Sequence, residues 1–324
     1  VSSAHNKTHK PFDNPASSCL IQNMEVQPLF CFGASPALQR ALRLPDWSTP
    51  GDVLRVHSHR ESVGGKATNA ARAILRAGGS ATLAGPAGGM NGDRIRRLLQ
   101  QENLAAIWID TDAETRICQT LEQPDGRRLR ELVEPAPALT LREWAECLAQ
   151  TERAMHFHSA LLLCGSLPVE SPGDAVQRLC EFALACRRPV IVDMTGAPLR
   201  AALRAGPTLV KINRDELRET TGCGDVPEGT DALLKMGAAA ALITDGPAAA
   251  FLAAGSKRWR FELPKIDPVN PIGGGDTVTG VCALHLVLQP GNWLEAALQG
   301  LAAASAQTLT PNPAEFDPAV AAQL

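Results

Sequence analysis

The run ALLLCGSLPVESPGDAVQRLCEFALACRRPVIVDM (residues 160–194) decides the fold. Two short apolar stretches, ALLLCG (160–165) and PVIVDM (189–194), flank an amphipathic segment, GDAVQRLCEFALACR (173–187). A strand with one wet face would alternate apolar and polar residues. These stretches are apolar throughout, as strands are when helices cover both faces of their sheet. Strand, helix and strand in that order form the repeating unit of a parallel sheet. The pattern continues outward. Further strands are predicted at PLFCFGA (28–34), SATLAGPAG (80–88), AIWIDT (106–111), TLVKIN (208–213) and AAALITDG (239–246). Helices are predicted at ATNAARAILRAG (67–78), GDRIRRLLQQEN (92–103) and DALLKMGA (231–238). The expected fold is α/β: a doubly wound, mostly parallel sheet sandwiched by helices.

Two segments break the alternation. Residues 38–63 and 113–135 have charged, period-2 character, and PDG at 124–126 is a hairpin turn signal. Small antiparallel pieces beside Gly-rich segments suit a β lid that excludes water from a site. The domain is expected over residues 27–324. Residues 1–26 are polar, rich in Pro, Asn and Ser, and lack the apolar centre of a signal peptide. They read as a disordered or loosely attached extension.

Composition excludes several functions. The 324 residues are 45% hydrophobic, enough for a large core, and the formal net charge of −3 gives no basic field for nucleic acid. With no Tyr, five Trp and eight Phe, a stacking platform for bases is not expected. No apolar run approaches the roughly 20 residues of a membrane span. The nine cysteines form no CxxC pair and read as reduced thiols of a cytoplasmic protein. His57/His59 and His156/His158 have no partner at a spacing that completes a tetrahedral metal set.

Four segments carry chemistry. In NPIGGGDTVTG (270–280), Gly273, Gly274 and Gly275 precede Asp276 and an apolar helix. Bared amides at a helix start favour an anion, and an acid in the first turn can take a proton from a hydroxyl. An ordinary Asp N-cap is the plainer reading. In SVGGKATN (62–69), Gly64 and Gly65 precede Lys66, and Asn69 lies near a helix start. Lys beside bared backbone suits a phosphate or a sugar hydroxyl, and a tight turn with a solvated Lys is the alternative. In TLVKINRDE (208–216), Asn213 and Glu216 fall at a strand end, where they suit a hydrated magnesium ion or a capping box. ALLLCGS ends at Ser166, and ITDG ends with Thr244 and Gly246; each borders a ligand or is a plain turn.

In combination, these segments resemble the ribokinase-like, or phosphofructokinase B, family of carbohydrate kinases, from about residue 28 to the C-terminus. GGKATN is similar to the family's GGKGxN, GGMNGD (88–93) to its second glycine segment, CGSLP (164–168) to its SGSLP strand end, KINRDE (211–216) to its NxxE motif and NPIGGGD to its GAGD anion hole. GGK, Thr115-Arg116, GSLP and NPIGGGD resemble most the phosphosugar branch, with 1-phosphofructokinase and tagatose-6-phosphate kinase. The resemblance implies a kinase that uses ATP and Mg2+ and phosphorylates a sugar phosphate. It implies Asp276 as general base and Gly273 to Gly275 as anion hole. Asn213 and Glu216 would order magnesium, with Lys211, Thr244 and Gly246 at the nucleotide. Gly64, Gly65, Lys66, Asn69 and Ser166 would hold the sugar. Arg116 and a lid-strand Arg55 would contact its phosphate, Arg55 from a partner subunit of a homodimer paired through lid strands.

Three departures bear on the substrate. SPALQ places Ser35 and Gln39 where the family has NPAxD, so an uncharged side chain replaces a sugar-binding Asp. Ala67 replaces a glycine of GGKGxN, and Ala249 replaces the second glycine of the nucleotide-side SxGxxG. The alternatives are a kinase of an unphosphorylated sugar or nucleoside, or a weakly catalytic sugar- or nucleotide-binding regulator.

Overall fold

A computed structural model describes residues 27–45, 53–123 and 129–324; the N-terminal extension and the PDG turn lie outside them. Strands β1 (Leu29–Phe32), β2 (Ala37–Arg43) and β3 (Ser58–Gly64) lead into helix α1 (Lys66–Arg76). Next come β4 (Ala81–Gly88), α2 (Gly89–Gln101), β5 (Ala105–Thr111), β6 (Ile117–Glu122), β7 (Leu129–Val133) and α3 (Leu141–Ala154). The central unit is β8 (Ala160–Cys164), α4 (Ala175–Ala185), β9 (Val190–Asp193), α5 (Gly196–Ala205), β10 (Leu209–Asn213) and α6 (Arg214–Thr221). The chain then forms α7 (Val226–Lys235), β11 (Ala240–Asp245), β12 (Ala249–Ala254) and β13 (Lys257–Glu262). It ends with α8 (Gly274–Leu288), α9 (Trp293–Gln307) and α10 (Pro318–Ala321).

Among the described residues, the large sheet has the order β13-β12-β11-β10-β9-β8-β1-β4-β5. It is parallel from β5 to β11, and β12 and β13 add antiparallel. Its strands are apolar on both faces because each face has its own core. In β1, Leu29 and Cys31 enter a core shared with α1, α8 and α9, while Phe30 and Phe32 enter one shared with α3 to α7. The doubly wound expectation therefore holds.

Differences lie at the margins. Helix α7 starts at Val226, five residues before the expected 231, because Asp225 caps it and a proline stands in its first turn. The stretch after Gly246 is not a strand-to-helix turn but the hairpin β11–β12, in which buried Ala249 pairs with Asp245.

Both segments that broke the alternation join a second sheet of order β3-β2-β6-β7. Strand β2 pairs antiparallel with β3 and parallel with β6, with Gln39 opposite Cys118. This sheet stands where β1 ends, at the point where the strand order reverses between β4 and β8. Open α/β sheets bind ligands at such a place. Among the described residues, no helix is long and apolar enough to cross a membrane.

Candidate active site

A cavity of about 690 Å³ opens between the two sheets, lined among others by Gln39, Lys66, Asn69, Arg116, Ser166, Glu216, Gly273 and Asp276. Its floor is an ionic network. Lys66, the first residue of α1, places Nζ 2.7 Å from Oδ1 of Asp193 and 3.1 Å from Oε1 of Glu216. Asp193 ends β9, is fully buried, and accepts from Thr279 Oγ1 at 2.6 Å and from Lys211 Nζ at 3.2 Å. Burial alone would raise the pKa of Asp193. The Lys211 and Lys66 ammonium groups overturn that and hold it well below the usual carboxylate range. Burial likewise opposes the charge on Lys66, and the carboxylates of Asp193, Glu216 and Asp276 more than restore it.

Asp276 sits in the first turn of α8, buried. Burial, then the negative charge of Asp193, push its pKa up to about 6, against the pull of Lys66, Lys211 and an Asn69 hydrogen bond. That hydrogen bond runs from Asn69 Nδ2 to Asp276 Oδ2 at 2.7 Å. A carboxylate poised near 6 is ionised at neutral pH yet more basic than an exposed one, the tuning a general base needs. The preceding turn requires glycine at its last residue, and the first turn of α8 fits closely over Lys211. Gly273 has φ +86°, which side chains rarely adopt. A Cβ on Gly275 would lie 2.5 Å from Lys211 Nζ.

The structure brings together most of the sugar-side candidates. Ser35 Oγ donates to the Ser166 carbonyl at 2.7 Å, and Gln39 Nε2 donates to Thr120 Oγ1 at 2.8 Å. Gly64, Gly65 and Lys66 form one wall. Arg116 reaches the cavity, but it donates to the carbonyls of Ser35 and Glu134, and its Nε is buried without a partner among the described residues. Ala67 does not crowd the cavity: its methyl packs against Gly33 in the core. Arg55 is not on a lid strand. It precedes β3 in an exposed irregular stretch and does not line the cavity.

The nucleotide-side candidates fall elsewhere. Lys211 is buried beneath Gly275 rather than open to a ligand. Asn213 and Thr244 pair in register at neighbouring strand ends, and Gly246 follows, all outside the cavity lining. Asn213 and Glu216 do form a capping box on α6, and Glu216 also reaches Lys66. Among the described residues, no group of three or more His, Cys, Asp or Glu is placed to hold a metal. His158 is instead bound to Ala154 O and Thr82 Oγ1.

Sequence reasoning missed Asp193, Arg72 and Glu102. The one available signal was an acid closing an otherwise apolar strand, VIVD.

Fold and site together define an α/β protein whose polar cavity holds a buried carboxylate at a glycine-rich helix start. Residues 29–319 match the pfkB family carbohydrate kinase pattern, and the chain belongs to that family. Over 272 residues it is 29% identical to an ATP-dependent 6-phosphofructokinase isozyme 2 of Mycobacterium tuberculosis, covering 82% of this chain and 79% of the relative. The phosphofructokinase-2 of Escherichia coli in complex with fructose-6-phosphate superposes with a TM-score of 0.82 at 27% identity, over 92% of this chain and 99% of that one. The tetrameric inhibited form of the same enzyme gives 0.83, at the same identity and coverage.

Proposed function

We propose that this carbohydrate kinase transfers the γ-phosphoryl group of Mg·ATP to a hydroxyl of a phosphorylated ketohexose, with Asp276 as general base. The observation that carries the reading is the placement of Asp276: buried, poised near pH 6, held by Asn69, and set at the start of α8 on the cavity wall. The two phosphofructokinase relatives support the substrate class.

A sugar hydroxyl in the cavity gives its proton to Asp276 as its oxygen attacks the γ-phosphorus. The amides of Gly273 to Gly275, with the helix start behind them, receive the charge that develops on the transferred group. Lys66 is held at the cavity floor by Asp193 and Glu216, so its charge faces the reacting oxygens without searching for a rotamer. Gly64, Gly65, Gln39 and Ser166 hold sugar hydroxyls, Arg116 holds the sugar's phosphate, and the small sheet acts as the lid. Thr244 and Gly246 serve the nucleotide side, and Lys211 supports the turn from beneath Gly275 while pairing with Asp193.

Asn213 and Glu216 fit a magnesium ion held through water. Both offer hard oxygens at the end of β10, and both already have protein hydrogen bonds, which suits an ion that keeps most of its waters. Bound there, the ion would neutralise phosphate charge. Arg55 lies outside its own chain's cavity, beside exposed Val53, Leu54 and Val56, and β7 exposes Leu132 and Val133. Such an apolar lid edge supports a homodimer in which Arg55 serves a second copy.

The test is ADP release from ATP with a panel of sugars, with and without phosphate. Fructose 6-phosphate, fructose 1-phosphate or tagatose 6-phosphate should give turnover well above fructose. Asp276→Asn should lower the rate about 10²-fold or more while the protein stays folded. A mutant keeping more than about a tenth of the wild-type rate would show that Asp276 is not the base.

A further inference from the structure

We infer that Arg72 and Glu102 are positioning residues for the base, joined to Asp276 through the Asn69 amide in a relay that crosses from α2 to α8. The inference rests on the reading of Asp276 as base. Its parts are set by geometry. Asn69 and Arg72 lie three residues apart on α1 and so share a face. Arg72 Nη1 donates to Asn69 Oδ1 at 3.2 Å, and Asn69 Nδ2 donates to Asp276 Oδ2 at 2.7 Å. Behind Arg72, Glu102 takes Nε at 2.6 Å and Nη2 at 2.7 Å, a two-pronged carboxylate–guanidinium pair.

The direction of the relay follows from the inventory of donors. An asparagine amide can turn over, exchanging its oxygen and nitrogen. Between Arg72 and Asp276 it cannot do so favourably. A guanidinium only donates and an ionised carboxylate only accepts, so the turned amide would set NH against NH and oxygen against oxygen. Arg72 therefore fixes the orientation of Asn69. Glu102 in turn fixes Arg72, because two of its nitrogens are committed to the fork.

A second observation points the same way. Glu102 is the C-cap residue of α2, where the helix already exposes negative carbonyl ends. A carboxylate is unfavourable at that end of the dipole. Arg72 offsets it, and Glu102 cancels the charge of an arginine that lines the cavity. Arg72 is thus matched to an internal partner rather than left for a substrate phosphate.

The consequence is control of one carboxylate. Asn69 occupies one oxygen of Asp276, which leaves the other to a hydroxyl in the cavity. The same hydrogen bond favours the ionised form of Asp276. The other charged groups that face Asp276 are Asp193 from β9, Lys66 from α1 and Lys211 from β10, and none belongs to the relay. Loosening Asn69 therefore raises the pKa of the base and lets its carboxylate turn away from line.

The experiment compares wild type with Arg72→Met, Arg72→Lys and Glu102→Gln. It measures kcat, the KM for the sugar and rate against pH, using ATP with fructose 6-phosphate or the panel sugar turned over fastest. Arg72→Met should lower kcat about tenfold or more, change the sugar KM less than about twofold, and move the acidic limb to higher pH. Arg72→Lys should not rescue it, since an ammonium cannot hold the fork. Glu102→Gln should change kcat and the limb in the same direction by less, and its partly exposed position keeps the test open if Arg72→Met fails to fold. Lower melting temperature with kcat and limb unchanged would overturn the relay as merely structural. A raised sugar KM with kcat and limb unchanged would overturn it by making Arg72 a phosphate ligand. Asp276→Asn separates the two readings. If that variant is inactive and Arg72→Met keeps the wild-type profile, the relay alone fails. If Asp276→Asn stays active, the base assignment fails.

Discussion

The cavity around Asp193 and Asp276, proposed as the sugar side, and the strand ends at Asn213 and Gly246, proposed as the nucleotide side, satisfy their polar groups in opposite ways. At the cavity floor, Lys66, Lys211 and Thr279 all bond Asp193 at 2.6–3.2 Å, and Asn69 bonds Asp276 beside them at 2.7 Å. On the nucleotide side, Asn213 and Gly246 are exposed at strand ends, and Asn213 spends its side chain on capping α6. The fold has built the first region in advance. The second is left for its ligand to complete. Changes on the sugar side should therefore alter stability and chemistry together, and changes on the nucleotide side should alter ATP affinity almost alone.

Asp193→Leu should have the largest effect. It would strip two ammonium groups of their buried partner, and breaking such a pair costs about 3–5 kcal/mol. Urea unfolding at neutral pH measures the loss. A drop below about 1 kcal/mol would mean that the network is not the keystone of the sugar side, and the contrast between the two regions would collapse.

The next effect is read in pH. The proposed base acts as a carboxylate, and the pKa of Asp276 is raised to about 6, so kcat/KM should fall about tenfold per pH unit below 6 and level off above it. Stability runs the other way for this group. A raised pKa means the folded state binds the proton more tightly than the unfolded one, so its stabilising contribution is present at low pH and lost as pH rises through about 6. Asp193, with its pKa lowered, contributes stability above the ordinary carboxylate range, lost as pH falls below it. Asp276→Asn should accordingly remove the pH dependence of stability near 6 and raise the melting temperature at pH 7. An unchanged melting curve would show that Asp276 and Asp193 do not oppose each other.

Much of this was legible in the sequence, for reasons that particular residues make clear. A strand such as ALLLC announces a sheet covered on both faces, because only such burial permits an unbroken apolar run. Helix α3 escaped although Thr140 and Glu143 form a capping box, and the β12–β13 hairpin escaped although Gly255 and Ser256 fill a two-residue turn. Their signals are local, a single cap or a two-residue turn, and lack the long apolar runs that mark the parallel units. The site divides differently. Asp276, Lys66 and Asn69 stand in glycine-rich motifs that bear their meaning locally. Asp193 matters because Lys66, 127 residues before it, and Thr279, 86 residues after it, fold onto it. Asn69 binds Asp276 across 207 residues, so its amide nitrogen is engaged by that carboxylate. Arg72 and Glu102 are an ordinary helix residue and an ordinary C-cap until the fold brings their side chains together. No one-dimensional pattern records such pairings.

The smallest predicted effect lies on the nucleotide side and bears most directly on the contrast. Asn213→Ala removes the N-cap of α6, which is worth about 1 kcal/mol. It leaves the Lys66–Asp193 contact untouched, since among the described residues the Asn213 side chain bonds the Glu216 amide and neither of those two. If the nucleotide side is completed by its ligand, the ATP KM at fixed magnesium should rise about tenfold, with the sugar KM within about twofold of wild type. The melting temperature should fall by only a few degrees. The capping role alone cannot produce that split, because a cap lost from α6 has no path to ATP other than Asn213 itself or Glu216. Equal changes in both KM values would instead show that the capping box holds Glu216 against Lys66, making the two sides one network rather than two.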